Sequence, residues 1–426
     1  MISENSTFAR GTWVLAQHFR KSRAARQTSY LYAGQIIGLG VGFALNLVNT
    51  RWLGPAGYGL YAATFAASDF VTMFLNFGFL PSGARLLALK QGAPEEQRRM
   101  TGALIVVTIG LVIGAALGLW GVSFFAEQLI NARIGHLLRW FSLLLALLVL
   151  QTLVESACRG TGRIEALSFF NLSSKGVGVA FVGLAIVTGT YSLPVAIGAS
   201  LAGSLLASVH VLNLLNPRFD KLSASVHELW LDVKHYGFKA YTGDIASSAG
   251  ARTYSLILAH YGNVTALGYY TLAGLIVTPM TTFSRSLAMT FFSRFAVIRR
   301  IASKVWTVNL VWLISCFAGV LLLGSLFVHV MFGAKYSPAA GLLPLVAFAG
   351  IFSGLAAPMN KFLAAHGEGV YLRTIALTLS LISVAAAFGL IPRFGALGAC
   401  YAAVVSALAN FLLHLLYYRK TVEALQ

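Results

Sequence analysis

The sequence has little charge. Only 10% of its 426 residues are Asp, Glu, Lys or Arg, against 58% that are hydrophobic. Soluble domains carry about a quarter charged residues, so this chain cannot cover a soluble surface, and lipid must cover it instead. Cysteine is nearly absent. Cys158, Cys316 and Cys400 each sit in or at the end of an apolar segment, without the spacing of a metal site and without a disulfide framework. They read as small buried hydrophobes. Long polar loops are missing too, which leaves no room for a soluble catalytic domain. Phosphate-binding loops, zinc-site spacings and nucleophile elbows do not occur.

Uncharged apolar runs are abundant. Residues 101–126 and 305–334 contain no charged side chain, and each exceeds the roughly 20 residues a helix needs to cross a bilayer core. The apolar pattern is continuous rather than alternating, which favours helices over a barrel. Twelve spans are expected near 29–51, 58–80, 102–126, 136–158, 165–189, 193–215, 238–260, 265–289, 305–331, 338–362, 371–391 and 395–417. Pro81 is expected to kink or end the second, and the second and eighth have room to extend past the membrane.

The formal net charge of +18 would suggest nucleic acid in a soluble protein. Here no aromatic-basic motif for nucleic acid is visible, and the bias follows the loops. With the amino terminus inside, external segments hold only Arg51, Arg133, Arg139, Lys335 and Arg393. The remaining loop Lys and Arg fall in cytoplasmic segments, as basic residues do in multi-pass proteins. Both termini are therefore expected in the cytoplasm. The basic segment 1–28 precedes a long apolar run with no small-residue cleavage site, so it does not read as a signal peptide. Phe8, Trp13, Leu15 and Phe19 beside its bases suit either a surface helix or a plain tail.

The polar stretch 216–240 divides the chain into an N-lobe, 29–222, and a C-lobe, 223–426, of six helices each. A repeat crosses that division. GPAGYGLY at 54–61 echoes GNVTALGYY at 262–270, and AIGASLA at 196–202 echoes ALGACYA at 396–402. Gly160 and Gly162 pair with Gly367 and Gly369 at a similar offset. Six helices per half return the chain to its starting side, so the halves are expected as parallel repeats, with a substrate site between them.

Charge inside a membrane is costly, about 2.5–3.5 kcal/mol at a helix centre on translocon scales, so intramembrane ionisable groups mark interior paths. Asp69, Glu155 and Asp244 are the acids. Lys175, Arg252 and Arg285 are the best-placed bases, with Arg85 and Lys361 nearer the cytoplasmic ends. Polar stripes run at helical spacing through them. They comprise Gln35, Gly42, Asn46 and Asn49; Asp69, Thr72 and Asn76; Asn171, Ser174, Lys175 and Gly178; Asp244, Ser248 and Arg252; and Thr278, Thr281, Thr282 and Arg285. Each has a plainer reading. Arg85 and Lys361 suit snorkelling to headgroups, Asp244 and Arg252 an ion pair two turns apart, and Glu155 a solvated helix end. His210 and His414 read as interfacial or packing residues. Taken together the stripes suggest a hydrophilic cavity shared by the halves, in which Lys175, Arg252, Arg285, Arg85 and Lys361 hold an anion. Gln35, Asn46, Asn49, Asn76 and Thr281 would line it. Pyrophosphate on a polyprenol fits that site, with sugars meeting amides and hydroxyls and the tail left in lipid. Asp69, Asp244 and Glu155 are then candidates for H+ or Na+ coupling, or for pairing with the bases when the site is empty. No other cofactor is implied.

The run Arg51-Trp52-Leu53-Gly54-Pro55-Ala56-Gly57-Tyr58-Gly59-Leu60-Tyr61 resembles a hallmark of Wzx-type polysaccharide flippases, members of the multidrug/oligosaccharidyl-lipid/polysaccharide (MOP) exporter superfamily. The pattern from Asp69 through Phe77-Gly78-Phe79-Leu80 to Arg85, and the echo from Gly262 to Tyr270, are similar to the family's second helix and its helix 7–8 junction. The resemblance is specific near 50–90 and moderate near 250–290. It implies an all-α membrane protein with twelve helices in two lobes around a V-shaped cavity. It also implies alternating-access transfer of a polyprenyl-diphosphate-linked glycan to the external leaflet of a bacterial inner membrane, with a polysaccharide polymerase and export machinery as partners. Many relatives carry an acid just before the helix 7–8 junction, where this chain has Arg252-Thr253-Tyr254. A cation-coupled multidrug exporter of the same fold and a membrane-embedded glycan polymerase or ligase are the rival readings.

Overall fold

The computed structural model describes residues 23–130 and 132–425, so the segment 8–19 lies outside the described residues. Every regular element among them is helical. In chain order the helices are α1 (Arg23–Leu75), α2 (Phe79–Leu89), α3 (Pro94–Leu129), α4 (Ala132–Ala146), α5 (Val149–Gly160), α6 (Ile164–Val187), α7 (Leu193–Leu214), α8 (Leu222–Asp232), α9 (Phe238–Tyr261), α10 (Val264–Thr290), α11 (Phe292–Phe295), α12 (Ser303–Phe332), α13 (Ser337–Ala365) and α14 (Gly369–Ala424).

Two of these are hairpins rather than rods. At 1.5 Å per residue a straight α14 would run to about 84 Å, far beyond a bilayer core of about 30 Å. It breaks at Gly395, whose φ of 56° and ψ of −126° are not helical. Tyr371 stacks on Tyr417 with centroids 4.6 Å apart, and Ser383 Oγ donates to Ser406 Oγ at 3.0 Å. Pairs that close in symmetrically on residue 395 are the signature of antiparallel limbs. Likewise α1 turns at Gly54 (φ 66°, ψ 177°), a backbone region that favours glycine, with Pro55 following at the start of the second limb. Tyr58 Oη donates to Asn46 Oδ1 at 2.9 Å, whereas twelve residues along a straight helix would separate them by about 18 Å.

With α4 and α5 as one span broken at Leu147–Leu148, the described residues form the twelve expected spans. Most are apolar enough to cross a membrane by composition as well as length. The least apolar is α9, which carries Thr242, Thr253 and several serines and packs among α1, α10 and α14.

Pro81 does not end the second span. The break comes earlier, at Asn76–Gly78, where Phe77 and Gly78 take φ values of 45° and 83°. There α2 turns away by 63°. Pro81 sits in the first turn of α2, where its missing N–H leaves nothing unpaired. The main chain at Gly78 meets Gly237, in the π-helical turn Val233–Gly237 that leads into α9; a Cβ on Gly78 would lie 2.3 Å from the Gly237 carbonyl.

The polar stretch 216–232 is bound to α2 and α3. Asp220 pairs with Arg99 (2.6 Å), Glu228 with Lys90 (3.0 Å), Asp232 with Arg85, and Arg218 with Glu95. Arg218 N also donates to Arg98 O at 2.9 Å, and a Cβ on Gly102 would fall 2.0 Å from the Arg218 carbonyl.

The repeat is visible as geometry. A Cβ on Gly59 would meet the Val264 carbonyl at 1.7 Å, and one on Gly268 would meet the Pro55 carbonyl at 2.3 Å. Pro55 and Val264 stand in the same relation as Gly59 and Gly268, so the contact is reciprocal, as across a two-fold axis. The glycine pairing expected at the α5–α6 turn needs correction. Thr161 N→Ala157 O, Gly162 N→Arg159 O and Arg163 N→Cys158 O are matched by His366 N→Phe362 O, Gly367 N→Ala364 O and Glu368 N→Leu363 O. The equivalent left-handed glycines are therefore Gly162 (φ 70°) and Gly367 (φ 77°). Gly160 and Gly369 flank them without matching.

At the Gly54 end the halves are tied directly. Arg51 donates to the carbonyls of Met331 (2.5 Å) and Val330 (2.8 Å), and Tyr336 Oη donates to the Thr50 carbonyl at 3.0 Å.

Candidate functional site

Two polar cavities open within the helix bundle. The larger, about 700 Å³, is lined from α1 by Asp69 and Thr72, from the α1–α2 break by Asn76, and from α5 by Gln151 and Glu155. Asn171, Ser174 and Lys175 come from α6, Ser200 and Ser204 from α7, and Tyr241 from α9. Two of the expected stripes, Asp69-Thr72-Asn76 and Asn171-Ser174-Lys175, thus converge on one space. Helical spacing brings each set to one face, and that face lines the cavity.

Lys175 is the one cation among the described lining residues. Its Nζ donates to the Gly38 carbonyl at 3.0 Å. Room for the side chain exists because Gly42 has none: a Cβ there would stand 3.3 Å from Nζ. Glu155 pairs with Arg159 at 2.9 Å, one turn on, with 39% of its side chain exposed. Asp69 reaches the same space from α1. The cavity therefore holds two carboxylates opposite one ammonium, with Gln151 bonded to Ser204 and Tyr61 to Ser200 (2.9 Å) on its wall.

The smaller cavity, about 330 Å³, lies in the second half, and none of its described lining residues is charged. It is lined by Tyr254, Tyr270, Thr278, Thr281, Ser353, Ser380, Ser383, Ser406 and Asn410. Tyr61 and Tyr270 occupy matching positions in the two repeats, two residues beyond Gly59 and Gly268, and each faces the cavity of its own half.

The remaining expected site residues lie elsewhere. Asn46 donates Nδ2 to the Gly42 carbonyl (2.8 Å) and accepts from Tyr58. Asn49, fully buried, accepts from Tyr191 Oη at 2.7 Å. Asn46 braces the α1 hairpin, and Asn49 ties α1 to the loop between α6 and α7. Asn76 accepts from Leu80 N at the α1–α2 break while lining the large cavity. Arg85 is held by Asp232 and lies 5.2 Å from the Tyr236 ring centre. Arg285 is exposed on α10, one turn past Thr281. Lys361 is half-buried near the end of α13, beside Asn360, which contacts His414 at 3.1 Å. The side chains of Gln35, Asp244 and Arg252 lie outside the described residues.

Sequence reasoning missed Gln151, Ser200 and Ser204, and the serines, Asn410 and tyrosines of the smaller cavity. A signal was present: Gln151 with Glu155, Ser200 with Ser204, and Ser406 with Asn410 are each four residues apart. Serine alone is a weak marker, because it satisfies itself on its own helix backbone, as Ser200 does with the Ala196 carbonyl.

Comparison with known proteins agrees with this architecture. No curated protein sequence matches the chain. Among solved structures, the chain is similar to the lipid II flippase MurJ in an inward closed conformation, with 14% identity, a TM-score of 0.73, and 92% of this chain and 89% of that one covered. It is similar to an inward-facing multidrug resistance MATE family transporter of the MOP superfamily, with 12% identity, a TM-score of 0.71, and coverage of 90% and 94%. A MOP superfamily transporter from Pyrococcus furiosus shares 14% identity at a TM-score of 0.62, with coverage of 94% and 96%. Residues 24–296 match the family model described as polysaccharide biosynthesis protein. With twelve helical spans in the fold of the MOP exporters, the chain belongs to the polysaccharide biosynthesis protein family.

Proposed function

We propose that this transporter moves a polyprenyl-diphosphate-linked oligosaccharide from the cytoplasmic to the external leaflet of a bacterial inner membrane by alternating access. The lobes 29–222 and 223–426 rock against each other, and both termini lie in the cytoplasm. The observation that carries this reading is the large cavity. Its volume of about 700 Å³ suits a polar headgroup of a few sugars. Its wall offers hydroxyls and amides to the sugars and one ammonium, Lys175, to a phosphate. Asp69 and Glu155, with Asp244 as a further candidate, supply carboxylates for H+ or Na+ coupling. The hydroxyl-lined second cavity would take neutral sugar surface.

The test is depletion of the protein in its host, followed by analysis of polyprenyl-linked glycans with an impermeant probe to assign the leaflet. Completed repeat units accumulating on the cytoplasmic side are expected. Accumulation on the external side would move the block to a polymerase or ligase step and overturn the reading.

A second reading has its own observation. Two carboxylates line the large cavity, as a cation-coupled multidrug exporter would need for cationic substrates. Unchanged glycan lipids together with new drug sensitivity on depletion would select it.

A further inference from the structure

Beside the break at Asn76–Gly78 lies a groove of about 500 Å³, lined by Phe77, Phe79, Trp230, Val233, Lys234 and Phe238. We infer that this groove holds the isoprenoid chain of the substrate while the polar head occupies the large cavity; the inference rests on the flippase reading above.

The geometry points there from both sides of the break. Asn76 lines the polar cavity and the next residue, Phe77, lines the groove. Phe77 turns because its own φ is 45° and that of Gly78 is 83°, so the chain reverses character within one peptide. Tyr241 joins the two spaces. It lines the polar cavity and donates Oη to the Phe74 carbonyl at 2.6 Å, while its ring lies 6.1 Å from Phe77 and 6.0 Å from Phe238. A molecule with a polar end and an apolar end thus finds matching walls in adjoining spaces.

The groove itself selects a slim apolar chain. Phe79 and Trp230 stack at 5.8 Å, forming a flat aromatic wall. Phe77, Trp230 and Phe238 remain 46%, 45% and 54% exposed, so the wall is open to an entering chain. The single charge is Lys234, with Nζ 5.3 Å from the Trp230 ring centre. The acids nearby are engaged: Asp232 with Arg85 and Glu228 with Lys90. The charge presented is therefore positive, complementary to a phosphorylated lipid.

The experiment uses the full-length protein in lipid nanodiscs and a diazirine-bearing polyprenyl phosphate without sugar, with crosslinks located by mass spectrometry. Crosslinks on residues 77–79 and 230–238, competed by unlabelled polyprenyl phosphate, are expected. Phe77→Asn, which suits the left-handed backbone, combined with Phe238→Ser should weaken binding about tenfold or more. Gly319→Ala on α12, where an added methyl meets nothing within 4 Å, should bind as wild type, and an unchanged melting temperature of the double variant reports that the fold is intact. Crosslinks spread over the lipid-facing helices, or equal labelling by a diazirine phospholipid, would overturn the inference. Either result can occur while depletion still traps glycan lipids in the cytoplasmic leaflet, so the groove can fail without the function failing. Groove labelling alongside unchanged glycan lipids on depletion would sink the functional reading and, with it, the groove's assignment to a substrate.

Discussion

The ammonium of Lys175 reaches across from α6 to the Gly38 carbonyl on α1 at 3.0 Å, through the space that Gly42 leaves open. Its bonded partner among the described residues is a neutral oxygen, which an anion entering the cavity would displace. Lys175→Met should lower glycan export about tenfold or more at wild-type protein level, since a hydrogen bond to a charged group is worth about 1.5–3 kcal/mol. Export at the wild-type rate would remove Lys175 from the substrate site.

The carboxylates divide differently. Glu155 is paired with Arg159 on the solvent side, one turn away on its own helix. Asp69 projects into the cavity from α1. Asp69→Asn should abolish dependence of transport on a proton or sodium gradient, whereas Glu155→Gln should leave most of it. Flux in proteoliposomes with and without an imposed gradient separates the two; equal losses in both variants would refute this division.

Where the repeats meet, space is absent. Gly59→Ala would drive a methyl to within 1.7 Å of the Val264 carbonyl, and Gly268→Ala to within 2.3 Å of that of Pro55. Backbone must shift, at a cost of about 1–3 kcal/mol. Both variants should melt earlier in detergent, while Gly274→Ala, which meets nothing within 4 Å, should not.

The segment 216–221 should loosen in acid. Hydrogen bonding from Arg99, aided by the charge of Arg218, holds the Asp220 carboxyl below its ordinary range. A carboxyl depressed in the folded state stabilises fully above its unfolded value of about 3.9, and that stabilisation fades as pH falls through the lower folded value. Hydrogen exchange of 216–221 should therefore rise below about pH 3.9 in wild type. In Asp220→Asn it should already be raised at neutral pH and change little with acid.

Much of this molecule could be read from its sequence because lipid imposes simple rules. Uncharged runs marked the twelve spans, and Gly54-Pro55 and Gly395 fell where the hairpins turn. The Asp69 and Lys175 stripes were legible because intramembrane charge is rare, and both reached the same cavity. What was hidden depended on tertiary placement. The break at Asn76–Gly78 rests on a left-handed Phe77, which no propensity marks. Asn46 and Asn49 share the stripe logic of Asn76, yet their partners, Tyr58 and Tyr191, come from across a hairpin and from a distant loop. The glycine register at the α5–α6 turn slipped by two because Gly160-x-Gly162 and Gly367-x-Gly369 look alike, and only φ tells which glycine turns the chain.

If the lobes rock as proposed, the reciprocal contact at Gly59 and Gly268 would serve as their pivot. It lies at the head of two helices, and from Gly59 the second limb of α1 runs on to Leu75, a lever arm of about 24 Å at 1.5 Å per residue. A tilt of about 10° at the glycines sweeps the far end through about 4 Å, more than the length of a hydrogen bond. Phe74 rides on that far end, and its carbonyl is held at 2.6 Å by Tyr241 of α9. Rocking of that size either breaks this bond or carries α9 along with the lever.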